Sequence, residues 1–132
     1  MLEHLGLAGA LQALAEECST RGGFAVETEI EIEEKLSGEE ERVVYRLVQE
    51  ALNNVMKHAS AAGAGVSARL VGHQVQIAVK DDGCGFDPEA VGEGRGLIGM
   101  RERIELLGGE IEVRSRPDDG TEIAARVPVK SA

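Results

Sequence analysis

Two pairs of short apolar segments constrain the fold of this chain more than any other feature. Residues 66–71 and 75–80 have the composition of β-strands, and only a tight turn at Gly72 joins them. Residues 111–114 and 122–129 form a second such pair. Successive parallel strands need a crossover of about a dozen residues or more, so both pairs are expected to be antiparallel hairpins. A doubly wound parallel sheet therefore fits this sequence poorly.

The other periodic segments are three helices and one strand. Residues 2–21 and 97–107 repeat apolar side chains at helical spacing. A Ser-x-x-Glu capping box at Ser37 predicts the start of a longer helix that continues to about residue 59. Residues 24–32 alternate apolar residues with glutamates, which predicts a half-buried strand.

The order of these elements predicts the fold class. Helix, strand, helix, strand pair, helix and strand pair indicate an α+β protein, a two-layer α/β sandwich whose mixed sheet is covered by helices on one face. We expect a single domain over residues 1–132, because this length buries one core. Small residues at 60–65 predict a loop, and the glycine-rich stretch 81–96 predicts a longer one.

Composition argues against several functional classes. The formal net charge of -10 disfavours a nucleic-acid surface, which needs dense lysine and arginine patches. No stretch approaches the ~20 apolar residues of a membrane helix, and the N-terminus lacks the basic region of a signal peptide. We therefore expect no direct membrane insertion and a cytoplasmic location. Cys18 and Cys84 lack the spacing of a zinc site and are expected to be reduced.

Polar residues flank the apolar stripe of the helix that starts near Ser37. Glu50, Asn54 and either Lys57 or His58 are three or four residues apart, and therefore lie on one helical face. An asparagine oxygen can ligate Mg²⁺, a glutamate can act as a base, and a lysine can neutralise a phosphate oxygen. Taken alone, this spacing is more typical of an ordinary solvated face.

Two glycine-containing segments could contact a nucleotide. Asp81 follows an apolar strand and precedes Gly83 and Gly85, whose conformational freedom lets the backbone approach a flat ligand closely. An aspartate at this point can accept a hydrogen bond from an exocyclic amine such as that of adenine. Residues 94–99 lead into a helix start, where backbone N–H groups and the helix dipole favour phosphate, and Arg95 adds a positive charge. A plain Asp-Gly turn and a surface loop are the alternatives.

The glycines at 94, 96 and 99 also spell G-x-G-x-x-G, the fingerprint of dinucleotide-binding proteins. That fingerprint belongs in the first strand-to-helix turn of a βαβ unit, whereas residues 87–93 do not have the pattern of a strand. No Gly-Lys-Ser/Thr occurs, so a Walker A loop is absent as well.

Taken in order, these segments resemble the ATPase fold shared by gyrase, a heat-shock chaperone, histidine kinases and MutL, the Bergerat-type ATP-binding fold. Four motifs carry the resemblance: residues 50–59 (the N box), Asp81, Gly83 and Gly85 (D-x-G-x-G), residues 94–100 (the glycine box), and Gly120-Thr121 (a late Gly-Thr). The chain is most similar to sensor histidine kinases of the nitrate-sensor and DesK type. V-Q-E-A-L-N-N at 48–54 and G-L-I-G-M-R-E-R at 96–103 carry that likeness, which extends over nearly the whole chain.

The resemblance implies ATP and Mg²⁺ as cofactors and assigns roles to individual residues. Glu50 would assist proton removal or orient a metal-bound water, and Asn54 would ligate Mg²⁺. Asp81 would read the adenine amino group, with Thr121 supporting it through water. Residues 85–96 would form a lid over the nucleotide. The other expected nucleotide contacts are Lys57, His58, Gly83, Gly85, Gly94, Arg95, Gly96, Leu97, Gly99 and Met100.

The implied reaction is transfer of the γ-phosphoryl group of Mg-ATP to a histidine on a separate dimerisation domain, with a response regulator as the next partner. Residues 1–23 would form the helix that follows the dimerisation helices. The sequence lacks the family's phosphoacceptor phrase, so the isolated domain is not expected to autophosphorylate. An anti-sigma-type serine kinase and a non-catalytic nucleotide-binding module remain as alternatives.

Overall fold

In the computed structural model of the chain, the structure describes residues 2–32, 36, 38–58, 63–82, 95–115 and 120–129. Its elements are α1 (Leu2–Gly22), β1 (Ala25–Glu31), α2 (Gly38–His58), β2 (Gly63–Val71), β3 (Gln74–Asp81), α3 (Arg95–Leu106), β4 (Glu110–Ser115) and β5 (Thr121–Pro128). This is the order predicted from the sequence. The predicted loop at 60–65 is wrong for residues 63–65, because β2 begins three residues before the predicted start at 66.

The five strands form one mixed sheet in the order β1-β2-β3-β5-β4. β1 and β2 are parallel and are connected through α2, whereas β2–β3, β3–β5 and β4–β5 are antiparallel. Both predicted antiparallel pairs are therefore confirmed. With α1 and α3 packed beside α2, the molecule is the predicted two-layer α+β sandwich.

Side-chain alternation gives the sheet two different faces. The face toward the helices, here called the covered face, holds buried side chains from the three central strands: Val66, Ala68, Val75, Ile77, Val79, Ile123, Ala125 and Val127. The helices contribute Leu11, Val44, Leu47 and Ile104 to the same core. The other face, here called the open face, carries the alternate residues of each strand. The period of two in the strands places the core on one side only.

The first helix is interrupted near its start. At Gly6, φ is 69° and ψ is 176°, a conformation outside the helical region that glycine adopts readily. Leu7 and Leu11, which follow the break, are buried in the core. Among the residues of α1 whose side chains the structure describes, the buried ones begin at Leu7. The predicted helix over 2–21 is interrupted at Gly6.

Several elements meet at one end of the molecule, here called the Asp81 end. β3 ends there at Asp81, and its antiparallel neighbours β2 and β5 begin there at Gly63 and Thr121. α2 also ends there, because only residues 59–62 connect it to β2. α3 begins at this end, since it turns through residues 107–109 into β4 and packs back against that strand.

Candidate functional site

Asp81 and Thr121 lie side by side at the Asp81 end of the covered face. They are direct cross-strand partners in the β3–β5 ladder, and Ala64 of β2 is the partner of Asp81 on its other side. Alternation puts both side chains on the face of Val79 and Ile123, and both residues are half-buried. The structure therefore brings the predicted adenine-reading pair together, at the point where the apolar surface of the sheet gives way to polar groups.

Gly120 holds the backbone of β5 close to Asp81. It has a φ of 77°, and a Cβ at this position would lie 2.3 Å from the carbonyl oxygen of Asp81. A side chain fits neither the backbone conformation nor the space, so this position requires glycine. The late Gly-Thr motif marked the residue in the sequence, but its contact with Asp81 depends on the pairing of β3 with β5.

Asp82 ties the end of β3 to the start of β2. Its Oδ1 accepts a hydrogen bond from the backbone N–H of Gly63 at 3.0 Å, and its own N–H donates to the carbonyl oxygen of Gly63 at 3.2 Å. Sequence reasoning missed this residue, because it was considered only as part of the Asp-Gly turn. A short acidic side chain at a strand end was the available signal.

Glu50 and Asn54 lie one turn apart on α2, toward its end at the Asp81 end. Both are half-buried and flank the buried stripe of Leu47, Ala51 and Val55, as predicted. Lys57 and His58 are in the last turn of the same helix; the structure describes their backbone but not their side chains. The helix thus directs one carboxylate and one carboxamide toward the border of the core.

The structure describes only part of the predicted glycine-containing motifs. Gly83, Gly85 and Gly94 lie outside the described residues. Arg95 and Gly96 lie in the first turn of α3 with Leu97, so the predicted helix start at 97 is wrong by two residues. For these three residues the backbone is described and the side chains are not. Residues 85–94 of the predicted lid lie outside the described residues, and the lid stays a prediction.

Later in α3, Gly99 is half-buried, and a Cβ there would meet nothing within 4 Å. Met100 is a core residue, 4% exposed, packed in the same cluster as Ile104. The structure thus gives Met100 a packing role, and its contact with a nucleotide stays a prediction. The first N–H groups of a helix have no partner within that helix, and the helix dipole is positive at this end.

Outside this end, the described residues hold few groups with chemistry of their own. Cys18 is a free, buried cysteine. Burial raises the pKa of its thiol, and the neighbouring carboxylate of Glu17 raises it further. Within the described ranges there is no group of three or more histidine, cysteine, aspartate or glutamate side chains that could hold a metal ion. No helix in that same part of the chain is long and apolar enough to cross a membrane.

Comparison with known proteins assigns a family. The chain belongs to the histidine kinase-, DNA gyrase B- and HSP90-like ATPase family, which matches residues 39–131. The matched region includes α2, the end of β3 and the Gly120-Thr121 step, and therefore every feature of the site described above. The resemblance to the ATP-binding domain of sensor histidine kinases, predicted from the motifs, is confirmed.

One curated relative is a histidine-protein kinase/phosphatase and another is a sensor protein. The chain is 35% identical over 130 residues to the signal transduction histidine-protein kinase/phosphatase DegS of Brevibacillus brevis. It is 33% identical over 129 residues to the nitrate/nitrite sensor protein NarX of Escherichia coli. These matches cover 97% and 96% of this chain but only 34% and 22% of the relatives. The chain thus spans about a third or less of the proteins it resembles.

Solved structures support the fold. The histidine kinase domain of the Erythrobacter litoralis EL346 blue-light activated histidine kinase matches with a TM-score of 0.73 and 24% identity, over 93% of this chain and 61% of that chain. Full-length ShkA in complex with AMPPNP matches with a TM-score of 0.75 and 23% identity, over 94% and 30%. At these identities, the likeness establishes the α+β sandwich.

Proposed function

We propose that this chain is the catalytic domain of a two-component sensor kinase, acting in the cytoplasm. It binds Mg-ATP and supplies the γ-phosphoryl group to a histidine on a separate dimerisation domain, from which a response regulator then receives it. The pairing of Asp81 with Thr121 at the end of an otherwise apolar strand face carries this proposal. Membership of the histidine kinase-, DNA gyrase B- and HSP90-like ATPase family supports a nucleotide as the ligand at this position.

Asp81 is the proposed adenine reader. Its carboxylate accepts a hydrogen bond from the exocyclic amine of adenine, while the hydroxyl of Thr121 on the next strand holds a bridging water. The buried side chains of Val79 and Ile123 supply the apolar surface behind the base. Guanine carries a carbonyl where adenine carries the amine, so the same carboxylate rejects it.

The phosphates lie at the start of α3. The helix begins at the Asp81 end, and its first backbone N–H groups, with the guanidinium of Arg95 and the glycines before and after it, suit a polyphosphate. Lys57 and His58, at the end of α2, complete the proposed set of phosphate or ribose contacts. The net charge of -10 makes this local positive potential necessary for binding an anion.

The oxygen donors of α2 fit Mg²⁺. A carboxamide oxygen on Asn54 and a carboxylate on Glu50, one turn apart and half-buried, are hard ligands of the kind that this cation prefers. Asn54 is the proposed direct ligand. Mg²⁺, when bound, neutralises charge on the phosphate oxygens.

Glu50 is the proposed base for the transfer. A nitrogen of the acceptor imidazole bonds to the γ-phosphorus, the bond to the β-phosphate oxygen breaks and ADP leaves. The proton on the other ring nitrogen passes to Glu50. The remaining catalysis is positioning and charge neutralisation, which dominate in phosphoryl transfer.

The test adds the dimerisation domain of the intact protein to this chain with labelled Mg-ATP. We expect acid-labile label on the acceptor histidine. Glu50→Gln should lower the transfer rate by about 10²-fold or more with ATP affinity nearly unchanged, whereas Glu39→Gln, exposed in the first turn of the same helix, should behave as the wild type. ATP binding without transfer would indicate a non-catalytic module, and acid-stable label on serine would indicate a serine kinase.

A further inference from the structure

The aspartate that follows the proposed adenine reader has no role in the function proposed above. Asp82 is exposed, yet its carboxylate is directed onto the backbone of β2, where Oδ1 accepts the N–H of Gly63 at 3.0 Å. A second hydrogen bond joins the backbone N–H of Asp82 to the Gly63 carbonyl at 3.2 Å. The residue that follows β3 thus closes the β2–β3 ladder with two bonds.

This closure lies directly beside Asp81. In the β2–β3 register, Ala64 is the cross-strand partner of Asp81, and Gly63 and Asp82 are the next residues outward. Strand ends open more readily than strand centres. Without the side-chain bond, the pair at the end of the ladder, which opens first, is the pair that contains Asp81. On the other side of Asp81, the close approach of Gly120 limits movement in the same way.

The same bond also limits the position of α2, the helix that carries the proposed metal ligand and some of the proposed phosphate contacts. α2 ends at His58, and only residues 59–62 separate it from Gly63. Such a connection spans at most about 3.3–3.6 Å per residue. Holding Gly63 therefore limits where the end of α2 can lie relative to Asp81.

We propose that Asp82 is a positioning residue for adenine recognition, acting through its hydrogen bond to the Gly63 N–H to fix Asp81 against the base. The inference rests on the proposed function. A carboxylate suits this task, because a hydrogen bond from a backbone N–H to an ionised acceptor is stronger than one to a neutral acceptor. The backbone bond from Asp82 to Gly63 persists when the side chain is removed, so the effect should be partial.

The experiment compares wild type, Asp82→Ala and Asp82→Asn by calorimetric titration with ATP and, separately, GTP. Removing the acceptor in Asp82→Ala should weaken ATP binding about three- to tenfold, the worth of one hydrogen bond. The preference for ATP over GTP should fall by a similar factor, because a loosened Asp81 discriminates less. Asp82→Asn retains an acceptor oxygen and should therefore keep most of the ATP affinity and most of the preference for ATP over GTP. Lys80→Ala, on the open face of the same strand, is the control and should match wild type.

Amide hydrogen exchange reports on the bond itself without any nucleotide. The Gly63 amide should exchange faster in Asp82→Ala than in wild type and recover in Asp82→Asn. A change of stability alone would lower the unfolding midpoint but leave the ATP-to-GTP ratio of the folded protein unchanged.

These measurements distinguish a failure of the proposed function from a failure of the role proposed for Asp82. If wild type binds no ATP, the proposed function and this inference are both overturned. If wild type binds ATP but Asp82→Ala keeps its full preference for adenine, or if the Gly63 amide exchanges at the wild-type rate, only the role of Asp82 is overturned. Equal losses in Asp82→Ala and Asp82→Asn would likewise contradict a role for the hydrogen bond.

Discussion

The covered and open faces are built from the same five strands, but they place polar groups differently. On the covered face, β3 presents Val75, Ile77 and Val79 before Asp81, and β5 continues from Thr121 into buried apolar residues. On the open face, charged residues are spread along the strands. Polar groups on the covered face of these two strands are thus concentrated at one end, which is where a ligand can reach them.

The charges of the open face are arranged in pairs that solvent surrounds. Arg69 contacts Glu31 at 3.1 Å and Arg126 contacts Glu110 at 2.5 Å, with all four side chains more than half exposed. Between them lie small residues, among them Ala78, that give this face two shallow depressions. Such pairs contribute little to stability. The location of a charge, more than its presence, therefore marks the functional region.

The largest expected effect comes from the glycine that contacts Asp81. Gly120→Ala should lower the free energy of unfolding by about 2–5 kcal/mol, because the alanine must hold a positive φ and its Cβ meets the Asp81 carbonyl. It should also weaken ATP binding in the protein that remains folded. Urea unfolding and calorimetry measure the two effects.

Gly65→Ala on the open face is the matched control. A Cβ there meets nothing within 4 Å, so the variant should be as stable as wild type or slightly more stable. Equal destabilisation by both variants would show that the two faces do not differ in the way described.

A smaller effect is expected from adjacent positions of β3 that point to opposite faces. Ile77→Val removes one buried methylene and should cost about 0.5–1.5 kcal/mol, whereas Gln76→Ala, exposed on the open face, should stay within about 0.5 kcal/mol of wild type. Urea midpoints of the two variants, measured at one temperature, test this. If Gln76→Ala lost more stability than Ile77→Val, the core would lie on the face of Gln76, contrary to the structure.

The ion pairs of the open face should contribute even less to the free energy of unfolding. Arg69→Gln is expected to cost about 0.2–1 kcal/mol, because both partners are exposed, and the loss should shrink at 1 M salt. Unfolding curves at low and high salt measure it. A loss that salt leaves unchanged would mean that the pair is more shielded than its exposure indicates.

The smallest effect concerns the buried thiol. The folded state raises the pKa of Cys18, chiefly by burial, so the protonated thiol contributes stability fully below the unfolded pKa of about 8.5. That contribution is lost as the pH rises through the pKa of Cys18 in the folded state. The stability difference between wild type and Cys18→Ala should therefore narrow between pH 8 and pH 10, as urea unfolding would reveal; a constant difference would contradict the burial.

Much of this fold could be predicted, because periodicity records which face of each element is buried. The alternation in 24–32 and the helical repeat after Ser37 identified β1 and α2 correctly. The start of β2 was missed, since Gly63, Ala64 and Gly65 have the composition of a loop and become strand through pairing with β1 and β3. Local composition does not record such long-range pairing.

For the site, helical spacing and the resemblance to the ATPase family suggested Asp81, Thr121, Glu50 and Asn54. Their roles stay predictions, and their arrangement needed the structure. The direct pairing of Asp81 with Thr121 depends on the register between β3 and β5, two strands that α3 and β4 separate in the sequence. The role of Asp82 depends on one side-chain rotamer at a strand end. Sequence spacing fixes neither of these.

The central claim is that the covered face binds adenine at Asp81 and the open face does not take part. The most direct test is calorimetric titration of ATP, with and without Mg²⁺, into wild type, Asp81→Asn and Glu29→Gln, the last altering an exposed carboxylate of the open face. We expect Asp81→Asn to weaken ATP binding at least about tenfold, the worth of a hydrogen bond to a charged group, and Glu29→Gln to bind ATP as wild type does. Unchanged ATP binding by Asp81→Asn, or no binding by wild type, would contradict this claim.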